Sequence, residues 1–457
     1  MFAPSPTLDG CQSANRQSKP PYLGLAPYLR LSIAGADLRP IARQMLERAQ
    51  SDPDDANLLM NLSTAMFCLQ MRDMGMVIQA QALALERIYR VAASTQPPRL
   101  RLLMLMAPGD LSANTPLDCL LEGSDIELQF YFVTPGNPLA EPVPEHDVLM
   151  VSLSESEDNR GLLALLEPAL CAWPKPVINA PGHIPATGRI AASQLLHQAP
   201  GVLIPPTLRA SRAQLLQLKH QGGERAVLLQ DCDFPLIVRP VDSHGGHGLD
   251  RLAGPEDIAN YLHKVEAADF FLSPFIDYSG ADGLFRKYRI ALIDGKPFAC
   301  HMAVSSHWMI HYLNANMYAD PRKREEEAAF MANFADTLKR HGPALDAIYR
   351  RTRLDYVCVD CAEAPDGRLL VFEIDHAMVV HAMDPVELFP YKQQHMRKVQ
   401  NAFRDFLVRL TDTHKPGSPA RTDSPAQTHN PMRTNDLVQT NNPVRTLPEK
   451  VLSNESA

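Results

Sequence analysis

The chain has 457 residues, 45% of them hydrophobic and 21% charged, with a formal net charge of −8 at pH 7. Such a composition builds ordinary globular domains, about two to four at this length, and the acidic balance without any Lys or Arg run speaks against nucleic acid or an anionic membrane as partner. Eight scattered cysteines do not form a disulfide framework in so long a chain. No basic-then-apolar leader is present, and no apolar run nears the roughly 18 residues of a membrane span, so a cytoplasmic location is expected.

Residues 1–30 are polar and Pro-rich and read as a disordered leader. Residues 31–96 turn helical: Asp52-Pro53 is a helix start, and Leu58, Leu62, Ala65 and Leu69 recur at helical spacing, followed by Val77, Ala80 and Leu83. This stretch resembles a tetratricopeptide unit. A full unit needs about 34 residues and a free-standing array several units. Two readings therefore stay open, a helical hairpin packed on the rest of the protein and a groove for a protein partner.

Residues 97–184 alternate short apolar runs (102–106, 128–133, 148–151, 176–179) with a helix over 161–170, the pattern of a small parallel sheet with helical crossovers. No GxGxxG follows the first run, which leaves a dinucleotide site unsupported. From about residue 413 to 457 the composition falls to Pro, Thr, Asn, Ser and Gln, with Asn-Pro-x-Arg-Thr at 430–434 and again at 442–446. A segment so poor in apolar residues cannot offset its ordering entropy and is expected to be a disordered tail.

Residues 185–412 hold the chemistry, in four segments. The run 236–240 is a strand carrying Arg239, followed by a loop with Ser243, His244, Gly245, Gly246 and Gly248, whose backbone can approach a phosphate chain. Next, 270–277 is an apolar strand interrupted by Pro274, which belongs on a sheet edge or at a strand break. Phe271, Leu272, Ser273 and Phe275 there could meet an adenine edge. Third, 285–293 is a strand joined by Asp294-Gly295 to its hairpin partner. Lys287 and Arg289 share one of its faces, and two cations there call for an anion. Fourth, strands at 354–360 and 368–375 bring Asp360, Glu373 and Asp375 onto one face, and three converging carboxylates call for a cation such as Mg²⁺ or Mn²⁺. Cys358 and Cys361 are spaced CxxC, but on a strand they face opposite ways. Of His301, His307, His311, His376 and His381, each alone is an ordinary structural residue, with His376 nearest the acidic strand.

In this order the segments resemble the ATP-grasp superfamily, within it the glutathione synthetase and RimK-like branch. The resemblance implies an α/β (α+β) ATP-grasp domain preceded by a small parallel α/β domain. It implies ATP bound by the glycine loop and by the strand at 271–275, with Arg239, Lys287 and Arg289 as catalytic cations and Asp360, Glu373 and Asp375 as metal ligands. Arg239 stands where the family usually has Lys, and Asp375 where it usually has Asn. The implied reaction is an ADP-forming carboxylate–amine (or thiol) ligation through an acylphosphate, on small-molecule or peptide substrates. The stretch 305–318 is expected near the acceptor. A catalytically weakened nucleotide-binding module and a phosphotransferase on the same fold remain the alternatives.

Overall fold

The structure, a computed structural model, describes residues 20–218, 233–243, 245–311 and 314–413. The leader expected through residue 30 is corrected at its described end. Tyr22, Leu25, Ala26 and Tyr28 are buried, and helix α1 spans Ala26–Ile33. These apolar residues find a surface to cover: Asn61 accepts from the Leu23 N–H and donates to the Pro21 carbonyl, each at 2.9 Å. Residues 414–457, the expected tail, lie outside the described residues.

Helices α2 (Arg39–Ser51), α3 (Ala56–Cys68) and α4 (Arg72–Leu85) follow. Helix α3 starts after Asp55, not at Asp52-Pro53: the Asp55 carboxylate accepts from the Leu58 N–H at 3.1 Å and caps the helix. Asp52 instead closes α2. Every residue from Leu58 to Phe67 is buried, and Leu58, Leu59, Met60, Leu62, Ala65 and Met66 share one apolar cluster with the strands of the next sheet. Of the two readings left open by the sequence, this packing supports the hairpin laid on the rest of the protein.

The first sheet contains β1 (Ile88–Val91), β2 (Leu100–Met106), β3 (Ile126–Phe132), β4 (Val148–Val151) and β5 (Val177–Ile178). Their order is β1-β3-β2-β4-β5, parallel except for the edge strand β1. β1 comes from the stretch assigned to the helical segment, so this sheet begins before residue 97. Parallel strands covered on both faces read as unbroken apolar runs, and Leu102, Leu103, Met104 and Leu105 are fully buried. Between the strands run α5 (Leu117–Leu120) and α6 (Glu157–Cys171), the latter capped by Ser156.

After α7 (Arg189–Leu196) and β6 (Val202–Leu203), two more sheets form. One consists of β7 (Leu208–Ser211), β8 (Leu236–Pro240), β9 (Asp250–Leu252) and β10 (Asp269–Pro274), ordered β7-β10-β8-β9. Helices α8 (Arg212–Gln217) and α9 (Asp257–Lys264) close its core. The other sheet has the order β12-β11-β13-β14-β6, from β11 (Phe285–Ile293), β12 (Lys296–Ser305), β13 (Tyr356–Glu363) and β14 (Leu369–Asp375). Helices α10 (Pro321–Ala332), α11 (Phe334–Thr352) and α12 (Lys392–Thr413) complete the fold.

Strand alternation decides what each face of this last sheet buries. Tyr356 and Cys358 of β13 pack with Phe403 and Phe406 of α12 and with the first sheet. Val357, Val359 and Cys361 pack with α7 and α11. Cys358 and Cys361 are thus buried on opposite faces and share no site. Asp294 and Gly295 both take positive φ, 49° and 74°, as a two-residue hairpin turn requires. The fold is α/β, as expected.

Candidate functional site

Between the two C-terminal-half sheets lies a cleft of about 290 Å³. Its walls carry Ile237, Arg239, Gly245, Gly246, Phe271, Ser273 and Phe275 on one side, and Lys287, Arg289, Asp360 and Glu373 on the other.

β10 is central in its sheet, not an edge strand. Pro274 is tolerated because it is the last residue of the strand. β7 pairs with β10 only as far as Leu272, whereas β8 pairs through Pro274. Beyond Leu272, the side of β10 that faced β7 therefore has no ladder partner among the described residues, and Ser273, Pro274, Phe275 and Ile276 line the cleft there. Leu272 turns the other way and is buried with Phe270 in the small-sheet core, so its side chain is packing.

In the glycine loop, Gly245 and Gly246 line the cleft at φ of 61° and 78°. Gly248 does not line it. A Cβ there would come within 2.8 Å of Pro240 Cδ, and the Gly248 carbonyl accepts from Tyr261 Oη at 2.7 Å, so that glycine allows close packing. Ser243 holds Arg239: the guanidinium donates to Ser243 Oγ at 3.2 Å and to the Ser243 carbonyl. His244 lies outside the described residues.

The charges are arranged differently from the expectation. Lys287 and Arg289 do share a face, and the anion between them is Asp360. Arg289 Nε and Nη2 lie 2.7 and 2.9 Å from the two Asp360 oxygens, and Lys287 Nζ lies 2.7 Å from one of them. Arg289 Nη1 also donates to the Val379 carbonyl at 2.9 Å. Burial would raise the Asp360 carboxyl, but Arg289 and Lys287 hold it far below the ordinary range. Conversely, burial works against the charge of Arg289 while Asp360 holds its guanidinium well above its usual value.

Glu373 stands opposite Asp360 in the register and accepts from Arg189 Nη2 at 2.6 Å. Burial favours its protonation, yet Arg189 and then Arg239 hold its carboxyl down. Asp375 is outside the cleft lining and accepts from the Ala377 N–H at 2.9 Å. Asp360 and Glu373 therefore line the cleft together without Asp375. Among the described residues no group of three His, Cys, Asp or Glu side chains could hold a metal. Two of the expected donors are paired with cations of the chain itself, and the third lies outside the cleft lining. This donor set does not fit a preformed divalent-metal centre.

Arg239 is a buried cation that makes no ion pair with a carboxylate among the described residues. Burial and then the neighbouring Arg189 pull its guanidinium down to about 9, so it stays charged at pH 7. Four cations, Arg189, Arg239, Lys287 and Arg289, thus face two carboxylates in the cleft.

Arg189 was not singled out in the sequence. The available signal was a cation at the first position of a helix, where the dipole favours acids. The stretch 305–318 does reach the cleft through Trp308, Met309, Ile310 and His311, with the Trp308 ring edge-on to Phe275 at 5.7 Å. Burial, then Lys287 and Arg289, push His311 down, so it adds no charge at pH 7. His376 is fully buried with Nε2 2.9 Å from the Leu153 carbonyl, and burial pushes it, like His381, down to about 4.

No family model matches the sequence, and no curated protein matches it. Among solved structures, the chain is similar to the D-alanine–D-alanine ligase from Bacillus anthracis complexed with ATP, at 13% identity, TM-score 0.41, over 69% of this chain and 100% of that one. It is also similar to the VanG D-Ala:D-Ser ligase from Enterococcus faecalis, at 11% identity, TM-score 0.40, over 68% and 99%. A third likeness is to the RimK domain protein ATP-grasp from Sphaerobacter thermophilus, at 15% identity, TM-score 0.39, over 67% and 99%.

Proposed function

We propose that the chain is an ATP-dependent, ADP-forming carboxylate–amine (or thiol) ligase of the ATP-grasp type, acting on small-molecule or peptide substrates. The cleft carries this reading: its cations outnumber its carboxylates, and they stand beside a glycine turn and an open strand end. Phosphates suit the cations and the turn. A base suits the apolar walls of Ile237, Phe271, Tyr278 and Phe372, with the edge of β10 offering backbone hydrogen bonds.

In this mechanism a substrate carboxylate oxygen attacks the γ-phosphorus, and the bond to the β–γ bridging oxygen breaks with its electron pair leaving on ADP. Arg239 and Arg289 stabilise the charge that develops on the transferred group. The amine then attacks the acyl carbon, phosphate departs with the C–O electron pair, and the nitrogen loses a proton.

One observation favours a second reading, a nucleotide-binding regulatory module: Asp360 and Glu373 are already paired within the chain. Hydroxylamine separates the two, because it intercepts an acylphosphate whatever the natural amine. A ligase given ATP, hydroxylamine and a panel of carboxylic acids forms a hydroxamate and ADP in equal amounts with at least one acid. Tight ATP binding without hydroxamate from any acid supports the regulatory module instead, and ADP without hydroxamate points to a hydroxyl acceptor.

A further inference from the structure

We infer that the cleft binds a nucleoside triphosphate without a divalent cation, the chain's own basic side chains supplying the neutralisation. This rests on the nucleotide reading above.

Two sets of like charges could demand an external ion here. Lys287 and Arg289 on one face would need an anion, and Asp360 with Glu373 would need a cation. In the structure each pair answers the other. Asp360 takes both cations, and Glu373 takes Arg189 at 2.6 Å. A metal entering by itself would have to compete with two cations at Asp360, both of whose oxygens are taken, and with Arg189 at Glu373, so the resting site has little electrostatic use for one.

The positive charge left over makes no direct ion pair: Arg239 feels Glu373, but the Glu373 contact goes to Arg189. Arg239 is buried, with Ser243 as its anchor, and two guanidiniums sharing the single charge of Glu373 leave an excess that an arriving anion would offset. The cations also differ in freedom. Arg289 is fixed by two bonds to Asp360 and one to the Val379 carbonyl. Lys287 makes one 2.7 Å contact with Asp360, and its side chain is 21% exposed. An ammonium on a flexible stem can turn to a phosphate while Arg289 keeps Asp360 neutralised. Lys287 is therefore the cation that moves onto the phosphate chain, and Arg239 the one already waiting for it.

The test is calorimetry of the full chain with ATP, once in excess EDTA and once in Mg²⁺ at matched ionic strength. Dissociation constants within about threefold of each other are expected, since the chain's own cations dominate. Lys287→Gln should weaken binding in EDTA by about tenfold or more, with an unchanged circular dichroism spectrum. Binding in Mg²⁺ that disappears in EDTA overturns this inference and leaves the nucleotide reading standing. No binding in either buffer overturns both.

Discussion

Asp360→Asn removes one charge at nearly constant volume and tests the charge arrangement directly. In the wild type this carboxylate is 2% exposed and bonded to two cations whose side chains are 20% and 21% exposed. Without it, Arg289 and Lys287 face each other across a neutral amide. Removing one partner of a buried ion pair costs about 3–5 kcal/mol. Because water reaches both cations, the lower end, about 3 kcal/mol, is expected, a large share of the roughly 5–15 kcal/mol that holds a domain folded. The same change removes the internal competitor for the two cations, so ATP in EDTA should bind about tenfold more tightly, equivalent to about 1.4 kcal/mol. Urea unfolding with and without ATP reads both effects: a lower midpoint without nucleotide, and a larger recovery with it than in wild type. An unshifted midpoint would refute the ion-pair account. A lower midpoint with no gain in ATP affinity would refute the assignment of these cations to the phosphates.

Arg289→Ala should cut turnover by roughly 10²–10³ while changing ATP affinity less, because its charge is placed for the transition state; equal losses in both would assign it to ground-state binding. His376, fully buried, and His381, half-buried, are both pushed down to about 4 by desolvation. Between about pH 4 and 6.5 the unfolded chain takes up protons that these two histidines refuse in the folded chain, so stability falls as pH falls through that window, by up to about 3 kcal/mol for each of the two. Urea midpoints flat from pH 7 to 4.5 would contradict this. Asp118 is buried and accepts from the Leu25 N–H and, at 3.1 Å, the Ala26 N–H, so Asp118→Ala should cost about 1–3 kcal/mol and expose residues 20–33 to proteolysis. An unchanged cleavage pattern would show that another contact pins the segment.

Much of the scaffold was legible because strong periodicity leaves little choice. The parallel strands show as unbroken apolar runs, and Asp294-Gly295 marks its hairpin by turn chemistry alone. What failed was local and tertiary. Residues 20–30 have no repeating pattern, yet Asn61 and Asp118, distant in sequence, supply them with partners. Asp52-Pro53 has the composition of a helix start but lost to Asp55, whose carboxylate reaches the Leu58 N–H. Pro274 suggested an edge strand, because composition does not tell the end of a central strand from an edge. At the site, period two put Lys287 with Arg289 on one strand face and Glu373 with Asp375 on another, and only the family resemblance brought the two sets together. Neither gave information on whether their charges would be satisfied by one another or by bound ions, since that depends on register across β11, β13 and β14. Arg189 was missed for the same reason: it meets Glu373 across 184 residues of chain.

The central claim is that this cleft couples ATP cleavage to joining a carboxylate and an amine. ADP release by the full chain, given ATP with amino acids, peptides and small acids singly and in pairs, measures that coupling. The account predicts ADP formation that requires both an acid and an amine, with one ADP for each bond made. Tight ATP binding with no ADP from any pair would contradict it.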